Sequence, residues 1–112
     1  NHKRDFTYVE DLVECMVKIF EHEKKLKNIS SYKTINIGAG KQESLNRYIK
    51  LIEKYLKRKS KKRLLPLQRG DIKNTFADNN QLKKLIGNYK FTNVKIGIEK
   101  FIDWYKDYYS IK

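Results

Sequence analysis

Little in this chain is equipped for covalent or metal chemistry. Its one cysteine, Cys15, excludes an intrachain disulfide and suits a reducing compartment. Cys15 sits among Leu12, Met16 and Ile19 at helical spacing, which reads as a buried, inert thiol. The two histidines, His2 and His22, are too far apart to complete a zinc site with it. No Ser–His–Asp or Cys–His set can be assembled from so few candidates. Proline occurs once and glycine five times, so linker-like and low-complexity compositions are excluded, and no internal domain boundary is expected. No apolar run approaches the ~20 residues of a membrane span, and the first residues carry no signal-peptide pattern. The expectation is a cytoplasmic protein with no membrane partner. Asn1 in place of Met leads to the further expectation that the chain is a fragment of something longer.

Positive charge, by contrast, is abundant. The net charge of +13 invites a nucleic-acid reading, in which the 57–63 run, KRKSKKR, would bind the backbone and tyrosines would stack on bases. Against it, only Arg4, Arg47, Arg58, Arg63 and Arg69 are arginine, and the lysine excess comes with Ile, Asn and Tyr, as in AT-rich coding DNA. Most aromatics also fall at helical core spacing rather than among the basic residues. A small RNA- or DNA-binding module is therefore the alternative, not the leading reading.

Periodicity and turn chemistry predict an α/β chain. A short β-prone stretch at 6–9 leads into a helix over 11–23, whose apolar face is Leu12, Val13, Met16, Val17 and Phe20, with Glu14 and Lys18 as an i,i+4 pair. A strand is expected at 32–37, ended by Gly38-Ala39-Gly40. Ser44 is positioned to N-cap the next helix, which frays into the basic run. Residues 64–67 and 72–77 read as extended, with Pro66 confining the first to an edge. Asp78 should cap a short helix carrying Leu82, Leu85 and Ile86, stopped by Gly87. Asn93 or Thr92 starts the last helix, with Val94, Ile98, Phe101, Ile102, Tyr105 and Tyr108 inward.

Two apparent motifs fail on their own chemistry. Gly38-Ala39-Gly40 lies where a dinucleotide fingerprint would, but the third glycine position is Glu43, whose carboxylate would repel a pyrophosphate. Tyr55 and Lys59 have the Tyr-x-x-x-Lys spacing of a tyrosine acid/base, yet Tyr55 belongs to an apolar stripe and Lys59 to the basic tail. A third block, 64–78, LLPLQRGDIKNTFAD, is more informative. The Gly70 turn sets the Asp71 carboxylate at a tight bend, where it can accept from a ribose diol, and Arg69 offers a nearby cation.

RDFTYVEDLV at 4–13, TINIGAG at 34–40, the 64–78 block, LKKLIG at 82–87 and GIEKFIDWYKDYY at 97–109 occur in one order and spacing. Together they resemble the C-terminal third of NAD-dependent nucleotide-sugar epimerases and dehydratases, the extended short-chain dehydrogenase/reductase family. Among these they look most like bacterial UDP-glucuronate 4-epimerases. The resemblance implies a C-terminal fragment of a Rossmann-type enzyme: an edge strand at 33–37, helices, and a small substrate-binding lobe. Residues 1–112 would be the nucleotide-sugar segment, the NAD-binding domain and catalytic residues lying upstream and absent here. Arg4 would contact the diphosphate, Asp71 the ribose and Gln68 a nearby polar group. Glutamine at 68 fits the glucuronate branch rather than the galactose one, which carries a second diphosphate arginine there. Asp11 would cap its helix. Asn88 and Lys90 depart from the family's aromatic and proline.

The chemistry implied for the parent is hydride abstraction from the sugar C4 by NAD, rotation of the 4-keto intermediate and hydride return, in a homodimer that serves surface or capsule polysaccharide precursors. A related UDP-N-acetylhexosamine epimerase or a dehydratase would share these features. The isolated chain is expected to be inactive as an epimerase and to self-associate through its unpaired strand edge and apolar helix faces.

Overall fold

The computed structural model describes residues 2–22 and 34–111. Among these described residues six elements occur in the order β1 (Lys3–Asp5), α1 (Val9–Glu21), β2 (Gln42–Ser44), α2 (Leu45–Leu56), α3 (Asn80–Ile86) and α4 (Val94–Tyr108). β1 and β2 pair antiparallel, with Arg4 opposite Glu43. On the other side of β1, Lys3 forms a parallel bridge to Asn74, through Lys3 N–H to the Lys73 carbonyl and Thr75 N–H to the Lys3 carbonyl. β1 is thus held between two segments that are distant in sequence. α1 packs on α3, and α2 on α4.

Local signals placed most helix ends. Ser44 Oγ accepts from Arg47 N–H and Asn93 Oδ1 from Lys95 N–H, so both predicted caps form. Gly87, at φ 79°, closes α3. Asp78 does not cap α3 directly; Asn79 is the cap residue, and Asp78 Oδ1 accepts from Asn80 N–H in a local turn. α1 begins two residues earlier than expected, after Tyr8, with Glu10 and Asp11 near the positive end of its dipole. The extended stretch before it is Lys3–Asp5 rather than 6–9.

The expected strand at 32–37 is not formed by residues 34–37, which find no partner strand among the described residues; residues 32 and 33, like the connection at 24–31, lie outside the described residues. Residues 64–67 likewise pair with nothing and are exposed, and of 72–77 only Asn74 bridges to a strand. β-propensity marks a segment able to pair, but the ladder needs a neighbour.

The core is small. Cys15, Leu82, Leu85, Ile98 and Ile102 are the buried apolar side chains among the described residues. The predicted apolar face of α1 is uncovered, from Leu12 at 36% exposed to Phe20 at 69%. On α4, Phe101 and Tyr108 also point outward. A 3.6-residue period identifies an apolar face without supplying the element that covers it. The radius of gyration, 17.3 Å, agrees with this, since a compact chain of this length would have about 13 Å. Cys15 is fully buried, as expected, and burial pushes its pKa up.

α2 does not fray into the basic run. It ends at Lys57, in the left-handed region at φ 54°, and the chain folds back on Glu53. Ser60 donates its hydroxyl and its amide to Glu53 Oε1, at 2.6 and 3.0 Å, with Lys62 at 3.6 Å. The two Ser60 donors, helped by Lys62, hold the Glu53 carboxyl down at about 2. Because this pKa is depressed, the contact is intact above the ordinary value of 4.5 and is lost as pH falls through about 2. Hydrogen exchange of the Ser60 amide should therefore accelerate only at strongly acid pH. In a Ser60→Ala chain the titration of Glu53 should move back toward 4.5; an unmoved midpoint would refute the assignment.

Candidate functional site

Arg4, at the centre of β1, projects toward the segment following the Gly70 turn. That turn is closed by Asp71 N–H donating to the Gln68 carbonyl at 3.1 Å, with Gly70 at φ 87°, the left-handed position a type II turn reserves for glycine. Arg4 Nη2 donates to Asp71 Oδ1 at 2.8 Å, while Nη1 donates to the Lys73 carbonyl at 2.9 Å and the Lys3 carbonyl at 3.2 Å. His2 Nε2 lies 3.8 Å from the other Asp71 oxygen. The fold thus brings together two of the three predicted binding residues across 67 positions of chain. Both remain reachable from solvent, the side chains being 27% exposed for Arg4 and 43% for Asp71. Gln68 is exposed beside them and takes part in the turn through its carbonyl.

Behind this pair lies a set of polar side chains that sequence reasoning did not single out. Asp5 Oδ2 accepts from Gly40 N–H at 3.0 Å and Ala77 N–H at 2.9 Å, and Asp5 N–H donates to Thr75 Oγ1. Thr7 Oγ1 accepts from Ala39 N–H, and Gln42 Nε2 donates to the Thr75 carbonyl. Asn79 accepts from Gly38 N–H and donates to the Gly38 carbonyl. The three segments 4–7, 38–42 and 75–79 are stitched into one platform, and Arg4 rides on it. Asp5 was visible in the Arg–Asp–aromatic run; nothing in the sequence pointed to Thr75 or Asn79.

The same network decides the fate of the Gly38–Gly40 turn. The amides of Gly38, Ala39 and Gly40 are each taken by a side chain, Asn79, Thr7 and Asp5 respectively. A dinucleotide loop needs such amides free to meet phosphate oxygens. Gly38 is instead needed for packing, because a Cβ there would overlap that of Ala77. Glu43 is buried in β2 and held by Arg47 at 2.9 Å. The residues of this turn do not fit NAD.

Tyr55 and Lys59 do not form an acid/base pair either. Lys59 lies beyond the end of α2, and the Tyr55 hydroxyl donates to Glu99 Oε2 at 3.1 Å. Burial and then Glu99 raise the Tyr55 pKa, opposite to what proton abstraction near neutrality requires.

Asp11 is also not a helix cap. It is buried and reaches across to the segment before α4, accepting from Thr92 N–H at 2.7 Å, the Thr92 hydroxyl at 2.8 Å and the Tyr89 hydroxyl at 3.2 Å. It ties α1 to that loop. Among the described residues there is no cluster suited to a metal ion and no helix long and apolar enough to cross a membrane.

Residues 1–38 match the sequence model of the NAD dependent epimerase/dehydratase family. The chain is 31% identical to a probable UDP-glucuronate 4-epimerase of Rhizobium meliloti, over 95% of this chain and 35% of that protein. It is 31% identical to the protein CapI of Staphylococcus aureus, over 98% of this chain and 36% of that one. The crystal structure of UDP-glucuronic acid 4-epimerase from Bacillus cereus, in complex with UDP-glucuronic acid and NAD, superposes with a TM-score of 0.79 at 30% identity. That superposition covers 96% of this chain and 33% of the other. The α/β fold seen here is therefore about a third of a Rossmann-type epimerase structure, and the chain spans about a third of the curated relatives it matches.

Proposed function

We propose that this chain, which resembles the C-terminal third of the NAD-dependent nucleotide-sugar epimerases and dehydratases along nearly its whole length, supplies part of the substrate grip of a UDP-sugar 4-epimerase. The observation that carries this reading is the Arg4–Asp71 pair, a guanidinium and a carboxylate joined at 2.8 Å on an accessible edge. A diphosphate is a better partner for the Arg4 fork than one carboxylate, since it offers more anionic oxygens. Its arrival would free Asp71 to accept from the ribose hydroxyls. Binding is then an exchange of partners rather than the filling of a void, and Gln68 stands beside it as a further polar contact.

The relatives' names favour UDP-glucuronate as the substrate; on the family resemblance its product would be UDP-galacturonate, for surface or capsule polysaccharide precursors. NAD and the groups that move protons would belong to parts of the enzyme outside these 112 residues. The part of this chain is binding and orientation, and residues 1–112 by themselves would have no epimerase activity. The uncovered face of α1 supports a longer polypeptide, dimeric as a whole, whose remaining residues lie on Val13, Met16, Val17 and Phe20. An isolated chain would cover the same face by self-association.

Calorimetric titration with UDP and with uridine tests the assignment in the protein expressed with whatever flanks these residues in its gene. Arg4→Gln should weaken UDP by roughly 10- to 100-fold, the value of one charge-assisted contact, and leave uridine nearly unchanged. Asp71→Asn should weaken both ligands. Equal losses for UDP and uridine in the Arg4 variant would refute the diphosphate role.

A further inference from the structure

The most concentrated charge on the molecule lies away from Arg4 and Asp71. Six of the seven residues at 57–63 are cationic, and all seven are exposed. Lys62 pairs with Glu53; Lys57, Arg58, Lys59, Lys61 and Arg63 have no ion-pair partner among the described residues. The run also continues a line of exposed cations along α2, Arg47, Lys50 and Lys54, at the three- and four-residue spacing that shares one helix face. Among the described residues only Arg47 in that line is neutralised, by Glu43.

Immediately beyond the run the chain turns apolar and stays equally exposed. Leu64 is 95% exposed and Leu65 62%, in a segment that neither pairs as a strand nor folds as a helix. Tyr105 and Lys106 of α4 share a pocket with Leu56, Lys57 and Arg58, and Lys106 Nζ donates to the Tyr55 carbonyl. This sets the C-terminal end of α4 beside the start of the run. That end carries exposed Trp104, Tyr108 and Tyr109, with Trp104 and Tyr108 stacked at 5.4 Å.

We propose that residues 57–65, with the aromatic end of α4, form a docking surface for an anionic phospholipid bilayer. The cations are attracted to the lipid headgroups, the two leucines leave water for the acyl boundary, and Trp and Tyr suit the headgroup level. A polynucleotide would match the charge equally, but would give Leu64 and Leu65 no apolar environment and would require the aromatics to interleave with the cations. This departs from the expectation of no membrane partner, which rested on the lack of a membrane span; attachment to the surface needs no span. Leu67 leads directly into the Gln68–Asp71 turn, so docking would bring that turn close to the bilayer.

The test is sedimentation of the protein, expressed with its natural flanking sequence, with phosphatidylcholine vesicles that contain or lack phosphatidylglycerol. Binding is expected only to the anionic vesicles and should weaken steeply with salt. Replacing Arg58, Lys59, Lys61 and Arg63 by Gln should reduce affinity on the order of several hundred-fold, at about five-fold per cation. Leu64→Ser with Leu65→Ser, which keeps every charge, should also lose affinity, at least about ten-fold. These positions are exposed, so circular dichroism should show both variants folded. Equal binding to both vesicle types would overturn the proposal. So would an unaffected four-cation variant, an unaffected leucine variant, or tight binding of a single-stranded oligonucleotide without vesicle binding.

Discussion

Asp5→Ala is expected to remove about 2–6 kcal/mol of folding stability, at about one to three for each of two part-buried donors left without an acceptor. The carboxylate oxygen Oδ2 accepts from Gly40 N–H and Ala77 N–H, and the alanine methyl can accept from neither. Both donors sit in the part-buried platform beneath Arg4, with the adjoining turn residues already tied to Thr7 and Asn79. Set against a typical domain stability of about 5–15 kcal/mol, the loss would be a large fraction of the whole. Asp5→Asn should recover part of it, since an amide oxygen accepts in the same place at lower strength. Denaturant unfolding of the three proteins checks this: a shift below about 1 kcal/mol for the alanine variant would show that Asp5 does not hold the platform. The same variant should weaken UDP binding although Asp5 is not placed on the ligand. The segments it joins fix the distance between Arg4 and Asp71.

The second large effect concerns Asp11. Its side chain is buried, and three donors converge on it from Tyr89 and Thr92. Asp11→Ala should cost about 2–4 kcal/mol, chiefly because Thr92 N–H and its hydroxyl lose a charged acceptor in a part-buried position. A spectroscopic readout separates this role from simple loss of packing. The Tyr89 phenol is held well above its ordinary value of 10.0 by burial, and then by Glu14 and Asp11, which repel a phenolate and accept a hydrogen bond from the neutral hydroxyl. Removing Asp11 should lower the Tyr89 pKa toward that value, as followed by the ultraviolet absorbance of tyrosinate. A destabilised variant whose Tyr89 titration is unmoved would assign the cost to packing and not to this hydrogen-bonded tie.

These two aspartates also show where sequence reading and structure part. Asp11 stands at the start of an amphipathic helix, where an acidic residue is ordinarily a cap or a partner of the helix dipole. Its actual partners lie about 80 residues on, at a position where the expected proline is Lys90 and the expected aromatic is Asn88. Asp5 was legible as part of a run, but not as an acceptor for Gly40 and Ala77. Similarly, the α1 face Leu12, Val13, Met16, Val17 and Phe20 was read correctly as apolar, whereas Phe101 and Tyr108 of α4 were read as inward and are exposed. The strand expected at 32–37 has the right composition and, over its described part, no partner.

What the sequence determined by itself is governed largely by contacts within about one helical turn. Ser44 and Asn93 cap because the amides they meet are two or three residues away. Gly87 stops α3 and Gly70 turns the chain because a positive φ is a property of a single residue. Glu14 and Lys18 pair at 2.9 Å because a helix puts i and i+4 side by side. The order of five motifs was equally legible, and with it the kinship that named Arg4 and Asp71 as candidates. Only the tertiary structure decided that Arg4 meets Asp71, that the Gly38–Gly40 amides are taken by Asp5, Thr7 and Asn79, and that α1 keeps its apolar face in solvent. Each of these depends on which distant segments close upon one another, and that is settled by the whole chain's packing and loop closure, not by any local preference.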